Sequence, residues 1–274
     1  MGTIIITGAS DGIGAASARQ LRARGHDVVI VGRSPAKTQA LARELGAPFH
    51  VADYARLADV HRLAAELARY DRIDVLANNA GGIMGQREVT EDGFEKTFQV
   101  NHLAPFLLTS LLQERLIASR ATVIQTASAA ANMWGRGFDI ADLQNERDYR
   151  PERAYGNGKL ENILFTRELH RRHHAHGIAA VAFHPGVVRS NFASDTTHYM
   201  RFLYNAPLKY LVMISPEASG RRLTALAEGQ PGVAWQPGEV YNKRKPMPVA
   251  FRDDDGSVAR ELWERSEEMV ARAG

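Results

Sequence analysis

Thr3-Ile4-Ile5-Ile6-Thr7-Gly8-Ala9-Ser10-Asp11-Gly12-Ile13-Gly14 is the stretch that decides the fold. Its β-favouring run gives way to a glycine-rich turn, and the helix-favouring Ala15-Ala16-Ser17-Ala18-Arg19-Gln20-Leu21 follows. The pattern predicts a strand, a tight turn and a helix. A turn without side chains lets backbone N–H groups and the positive end of a helix dipole approach a phosphate, which makes it a candidate pyrophosphate cradle. The spacing is G-x-x-x-G-x-G rather than G-x-G-x-x-G, and the same glycines also suit a plain strand-to-helix connection.

Outward from that turn, strand-length apolar runs alternate with amphipathic helical stretches. This is the pattern of an α/β fold: a single doubly wound parallel sheet, Rossmann-like, with helices on both faces. The 274 residues fit one domain of this kind. A hydrophobic fraction of 45% and a charged fraction of 24% are ordinary for a globular chain. The formal net charge of +3 is spread out, which argues against a nucleic-acid partner. With no cysteine there is no disulfide or thiolate metal site. No apolar run approaches the roughly 20 residues of a membrane span, a first strand near residue 3 leaves no room for a signal peptide, and the cytoplasm is the expected location.

The second strand, Val28 to Val31, ends in Gly32-Arg33-Ser34-Pro35, where Ser34 and Pro35 start a helix running to about Gly46. A dinucleotide-binding unit that takes NAD places an acid at this strand end; here Arg33 offers a fork of donors suited to a 2′-phosphate, with Ser34 and Lys37 nearby. NADP is therefore expected, with NAD possible. Arg33 also reads as a solvated loop residue. A third strand, Phe49 to Ala52, ends at Asp53, and a fourth, Ile73 to Ala77, runs into Asn78-Asn79-Ala80-Gly81-Gly82. Adjacent amides at a buried strand end need partners, and are expected to tie strands together and to contact a cofactor. A helix is predicted from about Glu91 to Ser119, and Asn101 on its apolar face marks a local distortion. The fifth strand, Thr122 to Thr126, delivers Ser128 to the sheet's carboxyl edge, where such folds bind ligands.

In Tyr155-Gly-Asn-Gly-Lys159 the ammonium and the phenol stand at i and i+4 on one helix face. A positive charge there favours phenolate and brings tyrosine toward acid/base work, although the pattern alone also fits a surface pair.

Taken together, Thr7-Gly-x-x-x-Gly-Ile-Gly14, Asn78-Asn-Ala-Gly81, Asn101, Ser128, Tyr155-x-x-x-Lys159 and His184-Pro-Gly186 resemble, in order and spacing, the short-chain dehydrogenase/reductase family, over essentially the whole chain. The interval from Ser128 to Tyr155, His184-Pro-Gly-Val-Val-Arg-Ser190 and Glu261-Leu-Trp-Glu-Arg-Ser266 look like the branch of retinol dehydrogenases and their bacterial oxidoreductase relatives. The resemblance implies a nicotinamide-dependent alcohol/carbonyl oxidoreductase that works as a homo-oligomer. It implies that Tyr155 exchanges the substrate proton, Ser128 hydrogen-bonds the same oxygen, Lys159 holds the nicotinamide ribose and Asn101 holds a relay water. It further implies that Gly8, Ser10, Asp11 and Ile13, with Gly12 and Gly14 of the same turn, meet the cofactor's phosphates. Asp53 would meet the adenine, Asn79, Ala80 and Gly81 the adenosine side, and Pro185 to Ser190, with Gly186 and Val188, the carboxamide.

Gly156 and Gly158 weaken the Tyr155 helix by roughly 1 kcal/mol each and predict a more mobile site. The aromatic and apolar residues from about 191 to 215 would form a substrate lid for a fairly large apolar alcohol or ketone, or else bury against the body or a partner subunit. His170, His173, His174 and His176 read as a solvated helix end rather than a zinc site. The rival from another class is a regulator or scaffold that binds the cofactor and does no chemistry; intact Ser128, Tyr155 and Lys159 argue against it.

Overall fold

Ile4, Ile5 and Ile6 are each buried, yet they serve two different cores, because successive side chains of a strand point to opposite faces. In the computed structural model, which describes residues 2–188 and 214–273, these residues form β1 (Thr3–Ile6) at the centre of an eight-stranded sheet. The other strands are β2 (Asp27–Gly32), β3 (Phe49–Val51), β4 (Val75–Asn78), β5 (Thr122–Thr126), β6 (Ala179–His184), β7 (Val240–Asn242) and β8 (Lys245–Pro246), in the order β3-β2-β1-β4-β5-β6-β7-β8. All neighbours are parallel except β7 and β8. Ile5 stands beside Val29 on one side and Leu76 on the other, so the strand order reverses at β1 and β4. A crevice opens beyond the carboxyl ends of strands at such a switch point.

On one face, Ile4, Ile6, Val28, Ile30, Ile124 and Val181 pack with α1 (Gly12–Ala23), α2 (Pro35–Leu45) and α9 (Pro216–Glu228). On the other, Ile5, Val29, Leu76, Val123 and Ala180 pack with α3 (Leu57–Leu67), α5 (Ala104–Leu111), α8 (Pro151–His173) and α10 (Ser257–Ala273). The doubly wound sheet read from the alternating pattern is the observed one.

The helix predicted from Glu91 to Ser119 is in fact several pieces. Thr90 to Phe94 form a turn around Gly93, whose φ of +86° needs glycine, and Val89 bridges antiparallel to Glu95. Helix starts only where the Glu95 carboxylate accepts the Thr97 and Phe98 N–H groups, giving α4 (Lys96–Phe98). A π-helical stretch, Gln99–Leu103, follows, and then α5; α6 (Gln113–Ser119) restarts beyond Leu112. Pro105 has no N–H to give the carbonyl four residues back, that of Asn101, and the Ala104 N–H reaches instead to Gln99. Strand β8 escaped the sequence reading because it is two residues long and enters through Lys243 at φ +59°.

Candidate active site

Asn79 fastens three strands at the switch point. Its Nδ2 donates to the Thr7 carbonyl at 3.0 Å, its N–H to Thr7 Oγ1 at 3.0 Å, and its Oδ1 accepts from Thr126 Oγ1 at 3.3 Å. The strand-tying expected of these amides is thus present, and Asn78 adds a bond to Thr109 Oγ1 on α5. The glycine turn is pressed onto this knot. A Cβ on Gly14 would stand 2.5 Å from the Gly8 carbonyl oxygen and 2.8 Å from Asn79 Nδ2, and one on Gly8 would stand 2.8 Å from the Ala80 Cα. Gly8 and Gly12 have φ of +63° and +54°, so the turn aims the first N–H groups of α1 at the crevice. Asp11 caps α1 through the Gly12 N–H and pairs with Lys37 at 3.1 Å. Ile13, half-buried, opens the same helix.

Across the crevice mouth, the end of β2 brings Ser10, Gly32 and Arg33 together. A Cβ on Gly32 would meet Thr38 Oγ1 at 2.4 Å and Ser10 Oγ at 3.0 Å. Arg33 is exposed and has no ion-pair partner among the described residues, while Lys37 is engaged by Asp11. Ser34 caps α2, with its Oγ accepting from Lys37 N–H. Asp53, half-buried, follows β3 at the same edge, one oxygen holding the Ala55 N–H.

The second half of the site is seated by close packing. Ser128 follows β5; its Oγ accepts from the Ala130 N–H at 3.2 Å, which leaves the hydroxyl hydrogen for another acceptor. The following short helix α7 (Ala130–Met133) lies against α8. A Cβ on Gly156 would stand 2.7 Å from Trp134 Cβ and 3.0 Å from the Ala130 carbonyl oxygen, so glycine here brings Tyr155 up to the Ser128 segment. Gly158 does the same toward the π-stretch, where its Cβ would lie 3.2 Å from Asn101 Cβ. Mobility was expected of these glycines; both are sites of close contact.

Lys159 Nζ lies 5.5 Å from the centre of the half-buried Tyr155 ring and donates to the Thr126 carbonyl at 3.1 Å. The ammonium is buried, and burial pulls its pKa from the ordinary 10.5 to about 7. The unconditional positive charge expected from the sequence is therefore replaced by a group that gains and loses its proton near neutrality. The Asn101 side-chain amide bonds to backbone, Oδ1 accepting from Gly82 N–H and Nδ2 donating to the Gly82 and Thr97 carbonyls, so it anchors the 80–82 turn against the π-stretch. A Cβ on Gly81 would meet both Asn101 Oδ1, at 2.6 Å, and Lys159 Nζ, at 3.1 Å; Gly81, Asn101 and Lys159 thus share one corner.

After β6, Gly186 at φ +94° turns the chain, Pro185 accepts from Ser219 Oγ at 2.8 Å, and Val188 is buried and bridges to Ile214. Ser190 and the lid segment, apart from residues 214 and 215, lie outside the described residues. Two further groups at the site were missed as such. His184 Nδ1 accepts the Ala129 N–H at 3.2 Å and fastens the Ser128 loop to β6, with burial and the nearby Arg222 holding its pKa down to about 4. Glu161 is buried on α8, and its only signal in the sequence was a charge inside the apolar Leu160, Ile163, Leu164 run. Of the histidines read as a solvated helix end, His174 and His176 are exposed, while His170 and His173 are partly buried.

Residues 2–200 match the family model described as short chain dehydrogenase. Among curated proteins, the chain is 39% identical to one named for daunorubicin C-13 ketoreductase activity in Streptomyces sp. (strain C5), over 98% of this chain and 92% of that protein. It is 36% identical to Homo sapiens retinol dehydrogenase 13, over 98% and 84%. Among solved structures, an uncharacterised protein from Mycobacterium paratuberculosis superposes with a TM-score of 0.76 at 31% identity, covering 99% of this chain and 94% of that one.

Proposed function

The chain belongs to the short-chain dehydrogenase/reductase family and is an NAD(P)-dependent alcohol dehydrogenase or carbonyl reductase, and from that premise we propose that it prefers NADP and acts on a fairly large apolar alcohol or ketone. The observation that carries the substrate chemistry is the seating of Tyr155 beside both Lys159 and the Ser128 segment at the sheet's carboxyl edge.

The residues present fit a dinucleotide. The N–H groups of α1 suit a diphosphate, because the one acid beside them, Asp11, is engaged by Lys37 and by its own cap. When bound, the nicotinamide supplies or accepts the hydride. The chain's own residues move the proton. In reduction, Tyr155 gives its phenolic hydrogen to the carbonyl oxygen; in oxidation it takes it back. Ser128 donates its hydroxyl hydrogen to the same oxygen, steadying the negative charge that develops there. Lys159, poised near neutrality, eases the change between phenol and phenolate. Exposed Arg33, without an ion-pair partner among the described residues, supports the preference for a 2′-phosphate. Exposed Met133 and Val187, on the segments following Ser128 and β6, support an apolar substrate, as do relatives named for retinol and for a ketone of daunorubicin.

Turnover of NADPH with a panel of apolar aldehydes and ketones tests the reading. Tyr155→Phe abolishes turnover while NADPH still binds, and Arg33→Ala weakens NADPH at least tenfold more than NADH. Equal weakening of both would remove the case for NADP, and an active Tyr155→Phe would remove the proposed proton donor.

A further inference from the structure

Glu161 stands on α8 six residues, more than one and a half turns, beyond Tyr155, is 1% exposed, and neither carboxyl oxygen has a hydrogen-bond partner among the described residues. An unpartnered buried carboxylate is costly, so a carboxyl kept in this state is protonated. Burial first, and the charge of Glu95 second, push Glu161 well above the ordinary carboxylate range. What it faces is specific. The point where Gly158 would carry a Cβ lies 3.9 Å from Glu161 Oε2 and 3.2 Å from Asn101 Cβ, and Asn101 shares its other side with Lys159. Glu95, itself fully buried, is near enough for its charge to act on Glu161; it is raised by its own burial, held by the Thr97 and Phe98 N–H groups and eased by Arg87. The Thr97 hydroxyl lies 3.4 Å from that of Tyr149, which reaches the Gln86 carbonyl at the surface. Lys159, Glu95, Arg87, Glu88 and Tyr149 are the titratable groups along this line among the described residues.

We propose that Glu161 is a proton-carrying positioning residue that links the Lys159–Asn101 corner of the active site to solvent along Glu95, Thr97 and Tyr149. The proposal rests on the oxidoreductase reading above. In reduction the Tyr155 O–H bond breaks and the alcohol O–H bond forms; the phenolate then regains a proton through Lys159. The Glu161 carboxylic acid releases its proton through water to neutral Lys159, and the carboxylate left behind is reprotonated from solvent along the outer line. Oxidation runs the same transfers in reverse.

Glu161→Gln keeps the shape and removes the proton. It is expected to bind NADPH as wild type does, to lower kcat for reduction about tenfold, less than the loss of a group that touches the substrate, and to change both the kcat–pH profile and the solvent deuterium isotope effect. Glu161→Asp restores part of each. Glu161→Leu, which removes a buried polar group and is expected to fold at least as stably, shows the same kinetic loss. Infrared difference spectra of the protein with and without NADPH are expected to contain a protonated-carboxyl band that is missing in Glu161→Gln. A wild-type pH profile and isotope effect in Glu161→Gln, or no such band, overturns the proposal. If wild type turns over no carbonyl substrate while the band still responds to NADPH, the catalytic reading has failed and the protonated Glu161 stands.

Discussion

Lys159 shows a residue held for function against stability. Its ammonium is buried with a single carbonyl acceptor among the described residues, and Asn162 Nδ2 already donates to that same carbonyl at 3.3 Å. A base whose pKa drops from 10.5 to about 7 on folding binds fewer protons folded than unfolded between those values. Its penalty to stability therefore grows as pH falls from about 10.5 to about 7 and is complete below. Lys159→Met is expected to lose turnover and to melt at or above the wild-type temperature at pH 6. That advantage should shrink as the pH is raised through the window, which melting curves at a series of pH values would show.

The element that sets the site is α8, and its glycines explain how a 23-residue helix can be nearly buried along its length. Gly156 in a helix interior costs roughly 1 kcal/mol relative to alanine, yet alanine there would push against the Ala130 carbonyl and the Gly135 N–H, both at 3.0 Å and both backbone. Overpacking of this kind costs about 1–3 kcal/mol. Gly156→Ala should therefore lower the melting temperature despite its better helix propensity, and lower kcat by moving Tyr155 away from Ser128. Gly137→Ala, with open space around it, should change neither. The π-stretch before α5 is the companion device: Pro105 breaks the regular bonding, and the distortion turns Asn101 toward the 80–82 turn. Asn101 inside an apolar helix was a legible sign of that distortion. The late start of the helix at Lys96 was not, because Glu91 and Asp92 look like a favourable first turn until Gly93 and the Glu95 cap are seen to claim the backbone.

At the scale of the whole molecule, α10 closes the face of the sheet that carries α5 and α8. Trp263 stacks on Phe165 and lies edge-on to Phe106, and His102 Nε2 bonds Ser266 Oγ at 2.9 Å. Burial drives the His102 pKa from 6.5 to about 3, so the folded chain binds fewer protons than the unfolded chain between those values and loses stability as pH falls from 6.5. His102→Leu should flatten that acid-side decline, read as the slope of melting temperature against pH between 6.5 and 4; His184 leaves a remainder. The sequence by itself determined the strand order's logic and the chemistry on offer, because alternation of apolar runs and fixed intervals between glycines, amides, Ser128, Tyr155 and Lys159 are local properties of the chain. Only the tertiary structure decided the charge of Lys159, the backbone duty of Asn101 and the isolation of Glu161, since each depends on how much water and which partners the surrounding elements leave to a side chain.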